Sequence, residues 1–234
     1  MHFTTPTGPR VTRIVAVAAG IAVAVAGCGS GGDAEPGSGS STAAPTSESA
    51  AADSAEPAEG NECAGMGIDH DAAVTRESDI VIDAPLREVW DTHTDVEGWV
   101  GWQKAILTIE RLDQGALSAT SQFRWTTPVP ESQFSPADTL VITSSVRQLE
   151  PGACVIWEGP AVGKTISIDK GVHLWTFTEK DGGTLVHTEE SWAAPFLDSL
   201  KGPDYDTVAA MLGGGLDLWL QDLKAEVESS AGPN

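Results

Sequence analysis

The residues best placed to do chemistry are a histidine and a carboxylate set in two apolar, strand-like segments. They are His173, in His173-Leu-Trp-Thr-Phe177, and Glu190, in Glu189-Glu-Ser-Trp192. A carboxyl group in an apolar cavity loses the hydration of its charged form, so its pKa rises and it becomes a general acid or base. A histidine beside it supplies a partner that changes charge near neutral pH. Glu189 and Glu190 are neighbours, so on a strand one faces in and the other out; Trp192 shares the face of Glu190 and favours Glu190 as the inner one. The alternative is a His173 bonded within the sheet and two glutamates reaching water. No nucleophile motif accompanies the pair: the sequence has no CxxC, HExxH, GxSxG or phosphate-binding loop, and Ser144 and Ser145 have no partner pattern around them. Asp69-His70-Asp71 has the composition of a metal site, but short acidic loops are ordinarily solvated. Asp91, His93 and Asp95 stand near a helix end, where capping accounts for them. No metal and no cofactor are expected.

The second signal is aromatic. The chain holds eight Trp and one Tyr. Trp offers a flat apolar wall with a single N–H donor, which suits a pocket that needs one polar contact. Trp99, Trp102, Phe123, Trp125, Trp157 and Trp175 are the candidate lining, together with His173 and Glu190. Core packing is the alternative for each of them. The period of two puts Phe123 with Trp125, and His173 with Trp175 and Phe177. Both faces of these segments carry apolar residues, so which face is the inside stays open.

These residues have to be positioned by a recognisable order of elements. Ser78–Asp83 is a β-branched run that reads as a strand. Ala84-Pro85 then opens a helix with Leu86, Val89 and Trp90 on one face. A second helical turn, Asp95–Trp102, is broken by Gly98 and Gly101. Six strand-like segments follow: Ala105–Leu112, Ser118–Thr127, Thr139–Leu149, Cys154–Gly159, Ile166–Glu179 and Thr184–Trp192. Asp113-Gln-Gly115, Pro151-Gly152 and Asp181-Gly-Gly183 are turn signals between them, the last a strong hairpin signal. Direct succession predicts antiparallel pairing, because parallel strands need crossovers. A helix over Pro203–Val227 closes the chain, with Val208, Ala209, Leu212, Leu216, Trp219, Leu220, Leu223 and Val227 as one apolar stripe. Gly213-Gly214-Gly215 interrupts it, and each interior Gly costs about 1 kcal/mol relative to Ala. Close backbone approach or a kink would explain them. The expected fold class is α+β: a curved antiparallel sheet of about seven strands wrapped on a long C-terminal helix, with two short helices after the first strand.

Ahead of this domain, Arg10 and Arg13 precede the uncharged run Ile14–Ala26. That run is too short for a stable span, which takes about 20 apolar residues, and it fits the apolar region of a secretory signal. Val25-Ala26-Gly27-Cys28 resembles the lipobox of bacterial lipoproteins. The resemblance implies a signal peptide over 1–27, lipidation of Cys28, and anchoring on the outer face of the bacterial cytoplasmic membrane. Residues 28–62 read as a disordered acidic Gly/Ser/Ala/Pro linker, the domain as 63–230, and 231–234 as a tail. A formal charge of −21 argues against nucleic acid as a partner. An envelope location would permit a Cys63–Cys154 disulfide, worth about 4–5 kcal/mol at most in the chain-entropy account; two separate thiols are the alternative.

Taken in order, Ile80-Val-Ile-Asp-Ala-Pro-Leu-Arg-Glu-Val-Trp90, Thr94-Asp-Val-Glu-Gly-Trp-Val-Gly-Trp102, Phe123-Arg-Trp125, Ser144-Ser-Val146, Glu150-Pro151, Trp157-Glu-Gly-Pro160, His173-Leu-Trp-Thr-Phe177, Gly183-Thr184, Glu189-Glu-Ser-Trp192 and Leu218-Trp-Leu-Gln-Asp-Leu-Lys224 resemble the SRPBCC superfamily, the START-like and polyketide cyclase/dehydrase-like group with the helix-grip fold. Val100 stands where that family often has Pro, Ala119-Thr120 where Pro-Gly is common, and Lys164–Lys170 reads as an extension. The resemblance implies a deep, mostly apolar cavity between sheet and closing helix, and a hydrophobic small molecule or lipid as partner. It does not choose a reaction, because fold does not settle function. A cyclase-, dehydratase- or hydrolase-type enzyme using Glu190 and His173 is the second expectation, and a protein-interaction domain using the outer sheet face is the third.

Overall fold

A computed structural model describes residues 62–230. The expected signal peptide (1–27), Cys28, all but the last residue of the linker, and the tail 231–234 lie outside the described residues. Within them, β1 (Val74–Ile82) leads into α1 (Leu86–Thr94), a 3-10 turn (Val96–Gly98) and α2 (Trp99–Trp102). Six strands follow: β2 (Thr108–Arg111), β3 (Gln122–Val129), β4 (Asp138–Glu150), β5 (Cys154–Val162), β6 (Ser167–Lys180) and β7 (Gly183–Ala193). Then come α3 (Pro195–Ser199) and α4 (Gly202–Ser230). The seven strands form one antiparallel sheet in the order β1-β7-β6-β5-β4-β3-β2, so the first strand returns to pair with the last. This is the helix-grip arrangement, with α4 packed along β1 and against α1.

Local chemistry explains where elements begin and end. Asp181 and Gly182 both take positive φ (52° and 88°), the requirement of a tight two-residue hairpin turn, and they join the long β6 and β7. β2 is shorter than the run Ala105–Leu112, since the chain at Gln103–Ile106 is turned by the Ile106 N–H donating to Gln103. β3 begins at Gln122 rather than Ser118. Ser118–Ser121 is spent on a turn in which the Ser118 N–H donates to Ser121 Oγ (3.0 Å) and Ser121 Oγ donates to Asp113 (2.8 Å). β3 also runs on through Pro128, which is tolerated because no β2 residue pairs with the strand beyond Thr126. The expected extension at Lys164–Lys170 is largely the start of β6, a lengthened β5–β6 hairpin. The short α3 follows Ala194-Pro195 and was not anticipated.

β5 comes close to β4 at Gly159. A Cβ there would lie 1.8 Å from the Thr143 carbonyl oxygen on β4, so only glycine permits this approach, and the β5–β6 register shifts beside it. The inner face packs on α4 through Trp219, Leu220, Leu223 and Val227. The outer face of β5 and β6 is not left to water. Cys63 bonds Cys154 (Cα–Cα 5.5 Å), and Ile68 packs with Ile156, Val172 and Leu174 into a cluster on that face. Residues 63–71 therefore act as a strap across the back of the sheet. This explains why both faces of the central strands are apolar.

His93 departs from the helix-capping role suggested by its position. It is fully buried, and its ring lies against Trp175 (centroids 4.5 Å), Phe177 (5.1 Å) and Trp157 (5.8 Å). Neither ring nitrogen has a hydrogen-bond partner. Burial, reinforced by His173, lowers its pKa to about 3. Asp91 instead makes an exposed i,i+4 pair with Arg87 (3.4 Å). Because the folded pKa of His93 lies below the ordinary 6.5, the unfolded chain binds a proton that the folded chain refuses. The resulting stability is complete above pH 6.5 and is lost as pH falls toward 3. His93→Phe is expected to remove this dependence, worth about tenfold in the folding equilibrium per pH unit. Chemical denaturation at a series of pH values checks it; parallel acid limbs for the variant and the parent would refute it.

Candidate functional site

Between the concave face and α4 lies a cavity of about 530 Å³. Its floor is Trp157 and its sides are Trp125, Ile142 and Ala161. Trp192 and Ile168 close one flank, and Leu212, Leu216 and Trp219 of α4 close the other. The alternation of strand residues places all of these from β3 to β7 on one face. Pro128, Val129 and Pro130 lie at the rim with the exposed Met211 and Leu218 of α4. The Lys104 backbone N–H (3.2 Å) and its ammonium both donate to Asp222, fastening the loop after α2 onto α4.

The α4 glycines belong to this site. The helix runs through them without a break. Gly213 admits Arg76, whose Cδ would lie 3.3 Å from an added Cβ, while Gly214 and Gly215 line the cavity and would meet nothing within 4 Å. One glycine thus serves close approach, and two leave space open.

The polar wall is the His173–Glu190 pair. The two residues are directly opposite on β6 and β7, and His173 Nε2 contacts Glu190 Oε1. Both are buried and both line the cavity. Burial raises the Glu190 carboxyl above its ordinary range, and His173 and a hydrogen bond from Trp192 offset part of that rise. Glu189 points to the other face, where it meets His187 Nε2 (3.0 Å). Around the pair are polar atoms without protein partners: the indole N–H groups of Trp157 and Trp219, and Nδ1 of His173. By contrast, Trp125 donates to Ser144 (3.1 Å) and Trp99 to the His93 carbonyl (2.8 Å).

Of the residues singled out from sequence, Trp125, Trp157, His173 and Glu190 come together on the cavity wall. Trp99, Phe123 and Trp175 do not line it. They are fully buried in an aromatic core beside it, where Trp99 meets Phe123 edge-on at 5.5 Å. Their correction is one of depth, since they occupy the filled end of the sheet. Trp102 is only partly buried and packs on that core from the α2 side. Sequence reasoning missed Trp192 and Trp219 as lining. The shared face of Trp192 and Glu190, and the place of Trp219 in the helix stripe, were the signals that could have found them. His93 was missed because a histidine near a helix end carries no mark of an aromatic cage.

Comparison with known proteins agrees with this geometry. Residues 73–228 match the family described as polyketide cyclase / dehydrase and lipid transport. No curated protein matches the chain. Among solved structures, the Zhui aromatase/cyclase from Streptomyces sp. R1128 is similar at 18% identity and TM-score 0.50, covering 68% of this chain and 95% of that one. A START superfamily protein from Mycobacterium smegmatis is similar at 16% identity and TM-score 0.51, covering 66% and 97%. A conserved protein from Geobacillus kaustophilus reaches TM-score 0.56 at 10% identity, covering 67% and 97%. At these identities the likeness is one of fold. The match over residues 73–228, together with a curved sheet closed on one long helix over an apolar cavity, means that the chain belongs to the polyketide cyclase/dehydrase and lipid transport family.

Proposed function

We propose that the domain holds a hydrophobic small molecule or lipid in the cavity under α4, and that the chain is tethered through Cys28 to the outer face of the bacterial cytoplasmic membrane. The observation that carries the ligand is the cavity itself: about 530 Å³, within the roughly 300–1,000 Å³ of small-molecule sites, with an apolar wall and one polar cluster. The tether rests on the Val25-Ala26-Gly27-Cys28 pattern after an apolar run. Among the described residues no helix is long and apolar enough to cross a membrane.

The polar cluster narrows the ligand. An indole N–H only donates, and a buried donor without an acceptor costs about 1–3 kcal/mol. Trp157 and Trp219 both line the cavity and have unpaired N–H groups. A ligand with carbonyl, hydroxyl or carboxyl oxygens at its deep end would satisfy them. The acid–histidine pair also supports a second reading, proton transfer on a bound carbonyl compound by Glu190 and His173 in a cyclase-, dehydratase- or hydrolase-type reaction.

Native mass spectrometry of the purified protein is expected to retain a hydrophobic molecule at one per chain, and Trp fluorescence should change when that molecule is stripped; an empty protein that no lipid or polyketide stabilises thermally would overturn the binding reading. Gly215→Leu projects a side chain into the open volume. It should weaken uptake of a fluorescent hydrophobic probe at least tenfold while leaving the melting temperature unchanged or higher, since glycine is a poor helix former. Glu190→Gln should keep probe affinity within about threefold, and turnover lost in that variant with binding kept would favour the enzyme. For the tether, Cys28→Ala expressed in an exporting bacterium should move the protein from the membrane to the soluble fraction, and mass analysis of the amino-terminal peptide should lose the lipid.

A further inference from the structure

The outer face of the β1–β7 pair carries a group of side chains that the cavity does not use. Glu77 stands opposite Glu189, and Asp79 opposite His187, in antiparallel register. The alternation of strand side chains puts all four on the face away from α4. The His187 ring lies between two carboxylates, with Nδ1 at 2.7 Å from Asp79 and Nε2 at 3.0 Å from Glu189. Three carboxylates therefore surround one imidazole. Glu189 is only 2% exposed, and Glu77 pairs with no cation among the described residues. The one ionic partner of Glu189 among the described residues is His187, which it shares with Asp79, and a buried carboxylate so placed gains from a further cation.

Glu189 and Glu77 also line a small surface cavity of about 330 Å³, closed on its other side by Ile68 and His70 of the disulfide-anchored strap. His70 is the histidine of Asp69-His70-Asp71, and the Asp69 N–H donating to Ser191 Oγ (3.2 Å) fixes the strap beside β7. The fold thus brings His70 to the pocket that Glu77 and Glu189 line, with Thr75 and Arg76 also on its wall.

We propose that Glu77, His187 and Glu189 bind a divalent transition-metal ion of the zinc class, with His70 or water completing the shell. One donor atom from each of the three lies within 4.8 Å of the others. Tetrahedral zinc at 2.0–2.1 Å from nitrogen or oxygen brings its donors about 3.3 Å apart, a contraction that a rotamer change of the exposed Glu77 supplies. Imidazole and carboxylate suit zinc. Asp79 occupies the place of the outer partner: it holds Nδ1 of His187 while Nε2, beside Glu189, turns to the ion. The ion would clamp β1 to β7, the pairing that joins the first strand to the last.

Isothermal titration of the purified protein with zinc chloride, after chelation, tests this. One saturable equivalent and a higher melting temperature with zinc are expected. His187→Gln and Glu77→Gln should each weaken uptake at least tenfold, and Glu77→Gln, an exposed position, should leave the melting temperature without zinc unchanged. No saturable uptake, or uptake of equal strength in the parent and Glu77→Gln, would overturn the site. If His187→Gln fails to fold, the Glu77→Gln comparison still decides.

Discussion

The structure depends on a mismatch of surfaces: seven strands curl around a single helix, and one helical stripe cannot cover the concave face they make. Where the volume is filled is decided by side-chain size along α4. Its C-terminal half offers Trp219, Leu220, Leu223 and Val227, which meet the Trp99, Phe123 and Trp175 core. Its middle borders the cavity with Leu212 and Leu216 and, beside them, Ala210, Gly214 and Gly215, which fill almost nothing. The glycines that weaken the helix are the residues that leave the space.

A hollow lined by aromatics imposes a second condition on every polar group inside it. Low polarity strengthens hydrogen bonds that are made and penalises those that are not. His93 escapes only the cost of a buried charge, by staying neutral, and leaves both ring nitrogens without partners. Trp125 and Trp99 meet it with Ser144 and a backbone carbonyl. The His173–Glu190 pair meets it by mutual contact, yet Nδ1 of His173 and the neighbouring indoles of Trp157 and Trp219 remain without protein partners. Those three unmet groups belong to residues that line the cavity, and a core evolved only for stability would gain from replacing them with apolar groups of the same shape.

Much of this was legible in the chain. The β-branched run before Ala84-Pro85, the turn signals, and the apolar stripe of the last helix define the order of elements, and period two placed Glu190 with Trp192. The depth of each aromatic was not legible. Trp125 and Trp175 both sit on inward-facing strand positions, but Trp125 reaches the cavity and Trp175 the solid core. That difference depends on what α4 and the short helices present opposite each residue, which is a non-local fact. The two-sided apolar pattern of β5 and β6 was ambiguous for the same reason, because the strap that covers their outer face is held there by a disulfide spanning 91 residues.

That strap separates two tasks. The described chain starts at the back of the sheet, where Cys63 is bonded to Cys154 at the head of β5. The cavity lies on the opposite face, between the sheet and α4. The same attachment covers Ile156, Val172 and Leu174 and carries His70 to the β1–β7 carboxylates. One short segment thus protects an apolar sheet face and brings an imidazole to the β1–β7 carboxylates. Its closure by a covalent bond follows from its composition: with Ile68 as its only apolar side chain in that cluster besides the half-cystine, packing alone would hold it weakly.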